Sequence, residues 1–119
     1  MSGRAVAVAL LAAVLAGCGL TIVELNERPD KYYQHKVTFR GRIARIQRLE
    51  HETLLEVADS NGHRVLVRTT APVDVDVDTW VRVRGLLVPE ARVDDRVLHD
   101  LVVAEDIRRA RRPLLAGIT

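Results

Sequence analysis

Arginine is the side chain with binding chemistry that this sequence repeats at regular spacing. Arg40 and Arg42, Arg64 and Arg68, and Arg82 and Arg84 alternate with apolar or glycine residues in three valine-rich segments. A guanidinium carries five donors in a planar fork and meets phosphate or carboxylate with two parallel hydrogen bonds. On one outer face the six would grip an anionic polymer or an acidic partner. The plainer alternative is a solvated face, its arginines paired across strands with Glu56, Asp100 and neighbouring acids. Binding a single-stranded nucleic acid requires aromatic platforms for the bases as well as basic groups for the phosphates. Phe39 is expected in the core and Trp80 in packing at a strand entry, so the aromatic half is missing.

The remaining candidates are weaker. His35, His51, His63 and His99 show no metal-ligand spacing, and only His51 and His63 could meet, across a hairpin. Asp74, Asp76 and Asp78 offer hard oxygens, but the glycine bend and distal glutamate of a calcium loop are missing. A solvated loop or a charge-guarded edge strand is expected there. Covalent catalysis needs a nucleophile with a base in reach, and neither Gly-x-Ser-x-Gly nor His-Glu-x-x-His occurs. The chain is therefore read as non-catalytic, without cofactor or metal. Its one thiol is Cys18.

The elements that must position these residues are short and valine-rich, as strands are. Thr21 and Glu24 form a capping box for a short helix with Ile22 and Leu25 on one face. Pro29 to Tyr32 makes a second turn, with a tyrosine ring, Tyr32 or Tyr33, laid on the body. Val37, Phe39, Gly41 and Ile43 then share one side of a strand reaching about Gln47, with Gly41 at a sharp bend where a side chain would obstruct closure. Thr53–Ala58 and His63–Thr69 are the next strands, joined by an Asp59-Ser60-Asn61-Gly62 hairpin turn. After a loop opened by Pro72, the fourth strand is expected over Trp80–Val88 and the fifth over Val97–Ala104. The polar stretch Pro89–Arg96 connects them, and Glu105–Arg112 is expected as a terminal helix before a fraying end.

The N-terminus fixes the address. Arg4 precedes 13 uncharged residues, Ala5 to Gly17, and the run ends in Leu15-Ala16-Gly17-Cys18. A charged start, an apolar segment and a small-residue cleavage site make a signal peptide. The run makes roughly 20 Å of helix, short of the about 30 Å hydrocarbon core. This segment resembles a bacterial lipoprotein signal with its lipobox. The resemblance implies recognition through Leu15, Ala16 and Gly17, cleavage before Cys18, and diacylglycerol and acyl (palmitate-type) chains on Cys18. Two or three chains anchor stably. An uncleaved anchor, or a buried helix with a chance cysteine, is the alternative. Gly19, where aspartate often marks inner-membrane retention, favours the outer membrane in a two-membrane host.

Removing 17 of 119 residues leaves 102, one small domain with little reserve of core. That part carries 17 basic and 16 acidic residues, and four of the basic ones are Arg108, Arg109, Arg111 and Arg112. The basic balance is thus a tail effect, with no sign of a globally basic surface. The tail fits either anionic lipid or polymer, or a helix end stabilised by its dipole.

The helix with its Pro-x-x-Tyr turn, Val37-Thr38-Phe39-Arg40-Gly41-Arg42-Ile43, the Asp-Ser-Asn-Gly hairpin and Asp78-Thr79-Trp80-Val81-Arg82-Val83-Arg84-Gly85 together resemble small bacterial OB-fold domains. The resemblance spans about Thr21 to Ile107, although Asp78-Thr79 replaces the usual Gly-Asp pair and His35 stands where a turn glycine is common. It implies a mostly β fold, a five-stranded OB-like barrel with a short N-terminal helix, preceded by a cleaved signal helix. The layout is a signal peptide at 1–17, a lipidated tether at 18–20, the barrel at 21–107 and a basic, partly disordered tail at 108–119. The functional reading is a membrane-anchored envelope lipoprotein whose barrel binds an envelope protein or an anionic envelope polymer. An exported single-stranded nucleic-acid-binding OB module is the alternative, disfavoured because nucleic acid is scarce outside the cytoplasm.

Overall fold

A thirteen-residue strand that alternates core and surface residues as far as Ile43, and shifts register after it, is long enough to serve two partners. The computed structural model describes residues 20 to 112, so the signal segment, Cys18 and the end of the tail lie outside the described residues. Strand β1 (Lys36–Arg48) pairs antiparallel through its first half with β4 (Trp80–Val93) and through its second half with β2 (Thr53–Ala58). β2 pairs antiparallel with β3 (Arg64–Thr69). β5 (Arg96–Arg109) runs parallel to β3 over Leu101–Val103 and antiparallel to β4 along its whole length. The sheet closes as a barrel in the order β1-β2-β3-β5-β4.

The inward positions fill the barrel. Phe39, Ile43, Leu55, Val67, Val83 and Val102 are all but fully buried, and each such side chain contributes about 1.5–3 kcal/mol relative to exposure. Helix α1 (Ile22–Glu27) plugs one end of the barrel with Ile22 and Leu25. The Thr21 hydroxyl accepts the Glu24 N–H at 3.2 Å, the expected cap. Asn26 Nδ2 donates to the Arg64 carbonyl at 3.0 Å and ties the helix to β3. Tyr32 and Tyr33 both pack against the core.

Two glycines allow the sheet to close. A Cβ at Gly41 would lie 2.5 Å from Val57 Cγ1 and 3.0 Å from Ile22 Cδ1. A Cβ at Gly85 would overlap the Val103 carbonyl oxygen, because the ladder shifts there and leaves Glu105 as an extra residue in β5.

Three expectations need correction. β4 does not stop at Val88, nor is Pro89–Arg96 a plain connection. The two strands continue to Val93 and Arg96, around a turn at Asp94 (φ 54°) and Asp95, and form a hairpin arm. Glu105–Arg112 is not a helix, since β5 runs to Arg109 and the Ala110 N–H donates to the Trp80 carbonyl at 2.8 Å. Arg108 and Arg109, the first residues of the basic segment, therefore lie in the sheet. The cause is non-local: the first half of β4 has β1 on one side, and only the end of β5 can satisfy its groups on the other. The arm bends where Pro89, which has no N–H, stands opposite Asp100 at φ 55°. The Tyr33 hydroxyl donates to Asp100 Oδ1 and latches this bend to the N-terminal turn.

Gly85→Ala is expected to destabilise the barrel by about 1–3 kcal/mol through overpacking, whereas Gly62→Ala, at φ 87° in open space, costs only its backbone strain, about 1 kcal/mol. Urea-unfolding midpoints of the two variants compare these costs directly. The hydrogen bond to Asp100 raises the Tyr33 phenol above its ordinary value of 10.0, with desolvation and the carboxylate charges of Asp100 and Asp30 adding to it. A raised folded value means that this contribution to stability is complete below pH 10 and is lost as pH rises through the folded value. Alkaline titration of phenolate absorbance should contain a component above 10 that disappears in Tyr33→Phe.

Candidate binding face

Strand parity decides which side chains meet outside the barrel. On β1 the outward residues are Lys36, Thr38, Arg40 and Arg42, and on β4 they are Trp80, Arg82, Arg84 and Leu86. The register sets Arg40 opposite Arg82 and Arg82 opposite Arg108, a row of three guanidinium groups across β1, β4 and β5. One row along, Thr38, Arg84 and Asp106 align; on the other side Arg42 faces Trp80. Like charges directly opposite one another cost about 0.2–1 kcal/mol per pair.

The six arginines do not form one surface. Arg40, Arg82 and Arg84 share the β1–β4 face, are exposed, and lie within 4 Å of no carboxylate among the described residues. Arg42, at the edge of that face, is held by Asp78 at 2.7 Å. Arg108 joins the row and is held by Asp106 at 2.7 Å. Arg64 and Arg68 lie on β3, separated from the others by β2 on one side and β5 on the other. There Arg64 pairs with Glu56 at 3.6 Å, as does Arg45 at 3.9 Å, and Arg68 pairs with Glu52, whose side chain is only 10% exposed. Asp100 takes its hydrogen bond from Tyr33 and not from an arginine.

Trp80 stands at the strand entry, as expected, and faces outward. It is half-buried on the outer side of β4, two residues from Arg82, and is absent from the core cluster. An aromatic surface therefore does stand at the edge of the basic face. The sequence carried the signal, since Trp80, Arg82 and Arg84 share one parity.

The opposite face, outside β2 and β3, is covered by the chain itself. Leu54 and Leu101 point outward yet are 5% and 0% exposed, and Val93 at the tip of the arm is fully buried. The arm folds back, leaving a groove of about 150 Å³ lined by Arg45, Gln47, Leu54, Leu66, Arg96 and Leu98 among others. In OB barrels the outer side of strands 2 and 3 with the flanking loops is a usual ligand surface; here the β4–β5 arm lies over it.

The other sequence candidates stay apart. His63 Nδ1 lies 3.0 Å from Asp59 in the hairpin turn, while His51 and His99 lie 3.7 and 3.8 Å from Glu50 and Glu90. Asp74, Asp76 and Asp78 are exposed on the loop before β4, where Val73 and Val75 pack against the core. Among the described residues no three His, Cys, Asp or Glu side chains gather as a metal would require.

Solved structures share this architecture. Asparaginyl-tRNA synthetase from Pyrococcus horikoshii aligns at 16% identity over 75% of this chain and 23% of its own, with a TM-score of 0.53. OBody AM3L09, solved bound to hen egg-white lysozyme, aligns at 12% identity over 70% of this chain and 88% of its own, with a TM-score of 0.56. A Replication Protein A heterotrimer bound to ssDNA aligns at 19% identity over 65% of this chain and 58% of its own, with a TM-score of 0.49. The chain thus spans less than two thirds of the Replication Protein A chain and under a quarter of the synthetase. No protein-family model matches the chain, and no curated protein matches it.

The opposed row yields a stability test. Arg40→Gln is expected to leave the barrel as stable as before or to stabilise it by up to about 1 kcal/mol, by relieving Arg82. Arg68→Gln should destabilise it by about 1–3 kcal/mol, leaving Glu52 desolvated without its partner. Denaturant unfolding of both variants checks the contrast.

Proposed function

We propose that this OB-like barrel is the non-catalytic binding module of a lipid-anchored envelope protein, and that it grips an anionic envelope polymer along the outer face of β1, β4 and β5. The observation that carries this reading is the row Arg40–Arg82–Arg108, with Arg84 beside it. Arg40, Arg82 and Arg84 have no carboxylate within 4 Å among the described residues, although arginines elsewhere on the barrel do. Opposed cations cost stability, and a bound polyanion turns that cost into affinity. Fork-shaped donors on three adjacent strands suit repeated phosphates or carboxylates better than a single small anion. The tether comes from the lipobox resemblance: cleavage after Gly17, acylation of Cys18, and placement outside the cytoplasm, in the outer membrane where there are two.

The OBody solved on lysozyme shares this scaffold and supports a protein partner as an alternative to a polymer. One observation favours a second reading. Trp80 beside Arg82 supplies both components of a single-strand site, a stacking surface and a phosphate clamp. An exported nucleic-acid-binding module would use the same face.

Titration of the protein with polyphosphate and with oligothymidylate, across a range of salt, separates these readings. Polymer recognition by charge predicts that both bind with steep salt dependence, and that Arg40→Gln/Arg82→Gln/Arg84→Gln reduces the slope by about two. Base recognition predicts in addition that Trp80→Ala weakens oligothymidylate by about 1–3 kcal/mol and leaves polyphosphate unchanged. If the unsubstituted protein binds neither polymer, the face is not a polyanion site. Mass spectrometry of the membrane fraction should find Cys18 as the acylated first residue; an intact Met1 would refute the tether.

A further inference from the structure

The fold ties the anchor to one end of its longest element. Leu20 is partly buried and packs against the core. Only Gly19 separates it from Cys18, and two residues of extended chain reach no more than about 7 Å. Ile22, two residues further on, packs where Gly41 aligns with Val81 and Val81 with Arg109. The next row towards that end holds Arg42, Trp80 and Ala110. There the chain leaves the sheet with Arg109, Arg111 and Arg112 all exposed, and none of them forms an ion pair among the described residues. Of the acids on the adjoining loop, Asp78 is taken by Arg42, Asp74 lines a groove together with Arg109, and Asp76 is exposed. The other end of β4 is the arm tip, thirteen residues further along a strand that bends at Pro89.

We infer that the lipidated protein stands on its membrane by the Trp80–Arg109 end, with Arg109, Arg111 and Arg112 on the phosphates of anionic lipid headgroups and the β4–β5 arm directed away from the surface. This rests on the anchoring proposed above and adds an orientation to it. Trp and Arg are the side chains suited to the headgroup layer, one amphipathic and the other drawn by the negative surface potential. Each arginine near such a surface shifts the docked population by about fivefold, and three together by about a hundredfold. A tether this short leaves the electrostatic contact little chain entropy to overcome.

Trp80 is the chain's single tryptophan and serves as the probe. The full-length protein, extracted with its anchor, is incorporated into vesicles of phosphatidylcholine alone or with phosphatidylglycerol, both containing dansyl-headgroup lipid. Energy transfer from Trp80 to dansyl should be stronger in the anionic vesicles and fall with added salt. In Arg109→Gln/Arg111→Gln/Arg112→Gln it should drop to the level of the neutral vesicles. Arg40→Gln/Arg82→Gln/Arg84→Gln, which empties the proposed polymer face, should keep most of the transfer. Equal transfer in both vesicle types, or an unchanged signal in the tail variant, overturns the orientation while leaving the anchor standing. Failure to float with either vesicle overturns the anchor, and the orientation falls with it.

Discussion

The ladder between β4 and β5 is the interaction on which the rest of this barrel depends. Each strand has fourteen residues, and the pairing runs from Val81 opposite Arg109 to Val93 opposite Arg96. β1 covers only the first half of β4, and β3 touches only three residues of β5. Without the full ladder, the backbone groups on one side of β4 from Trp80 to Arg84 would face an open gap. Their satisfaction draws the arginine-rich end of the chain into the sheet and sets Arg108 beside Arg82. At the other end the same pairing outruns the barrel and becomes an arm. Pro89 and Asp100 bend that arm, and the Tyr33 hydroxyl holds the bend.

Local rules were enough for much of this. The capping pair Thr21 and Glu24, the turn at Asp59–Gly62, the inward set Val37, Phe39, Gly41 and Ile43, and the obstruction at Gly41 are all set by residues a few positions apart. The five-stranded barrel with its short helix was legible for the same reason. What local rules miss is the strand order. Arg64 and Arg82 have the same alternation, yet β3 and β4 are not neighbours, so their arginines look out on different surfaces. The end of β5 is another such case. Glu105–Arg112 has the charge pattern of a helix terminus, and only the unpaired flank of β4 makes it strand. Trp80 is different, because its parity with Arg82 was visible and the rule of alternation outranked its place at the strand entry.

The two arginine groups also differ in energy. On β3, Arg68 shields a nearly buried carboxylate, and Arg64 shares Glu56 with Arg45. These pairs hold the outer side of β2 and β3 together beneath the arm, and loss of one partner would strand the other. On β1 and β4, Arg40 and Arg82 oppose each other without an ion pair among the described residues. Exposed ion pairs contribute about 0–1 kcal/mol each, so a few suitably placed acids would have removed the repulsion at little cost. Their absence opposite Arg40 and Arg82 makes this face the part of the surface with most to gain from an anion.

The arm and the basic face are two consequences of one geometry. By lying over β2 and β3, the arm buries Leu54 and Leu101 and closes the side on which OB barrels usually receive ligands. What stays open is the flank of β1, β4 and β5, whose long axis runs from the helix-plugged end to the arm tip. A chain tethered through Cys18 would keep that axis at a steep angle to the membrane, because Leu20 and Ile22 are already part of the core. The row of arginines would then lie just above the headgroups, parallel to the surface, within reach of any polymer rooted in the same membrane. Position would add to charge: a polymer held in the same plane meets the face at a high effective concentration, so even a weak individual contact to Arg40, Arg82 or Arg84 would be occupied.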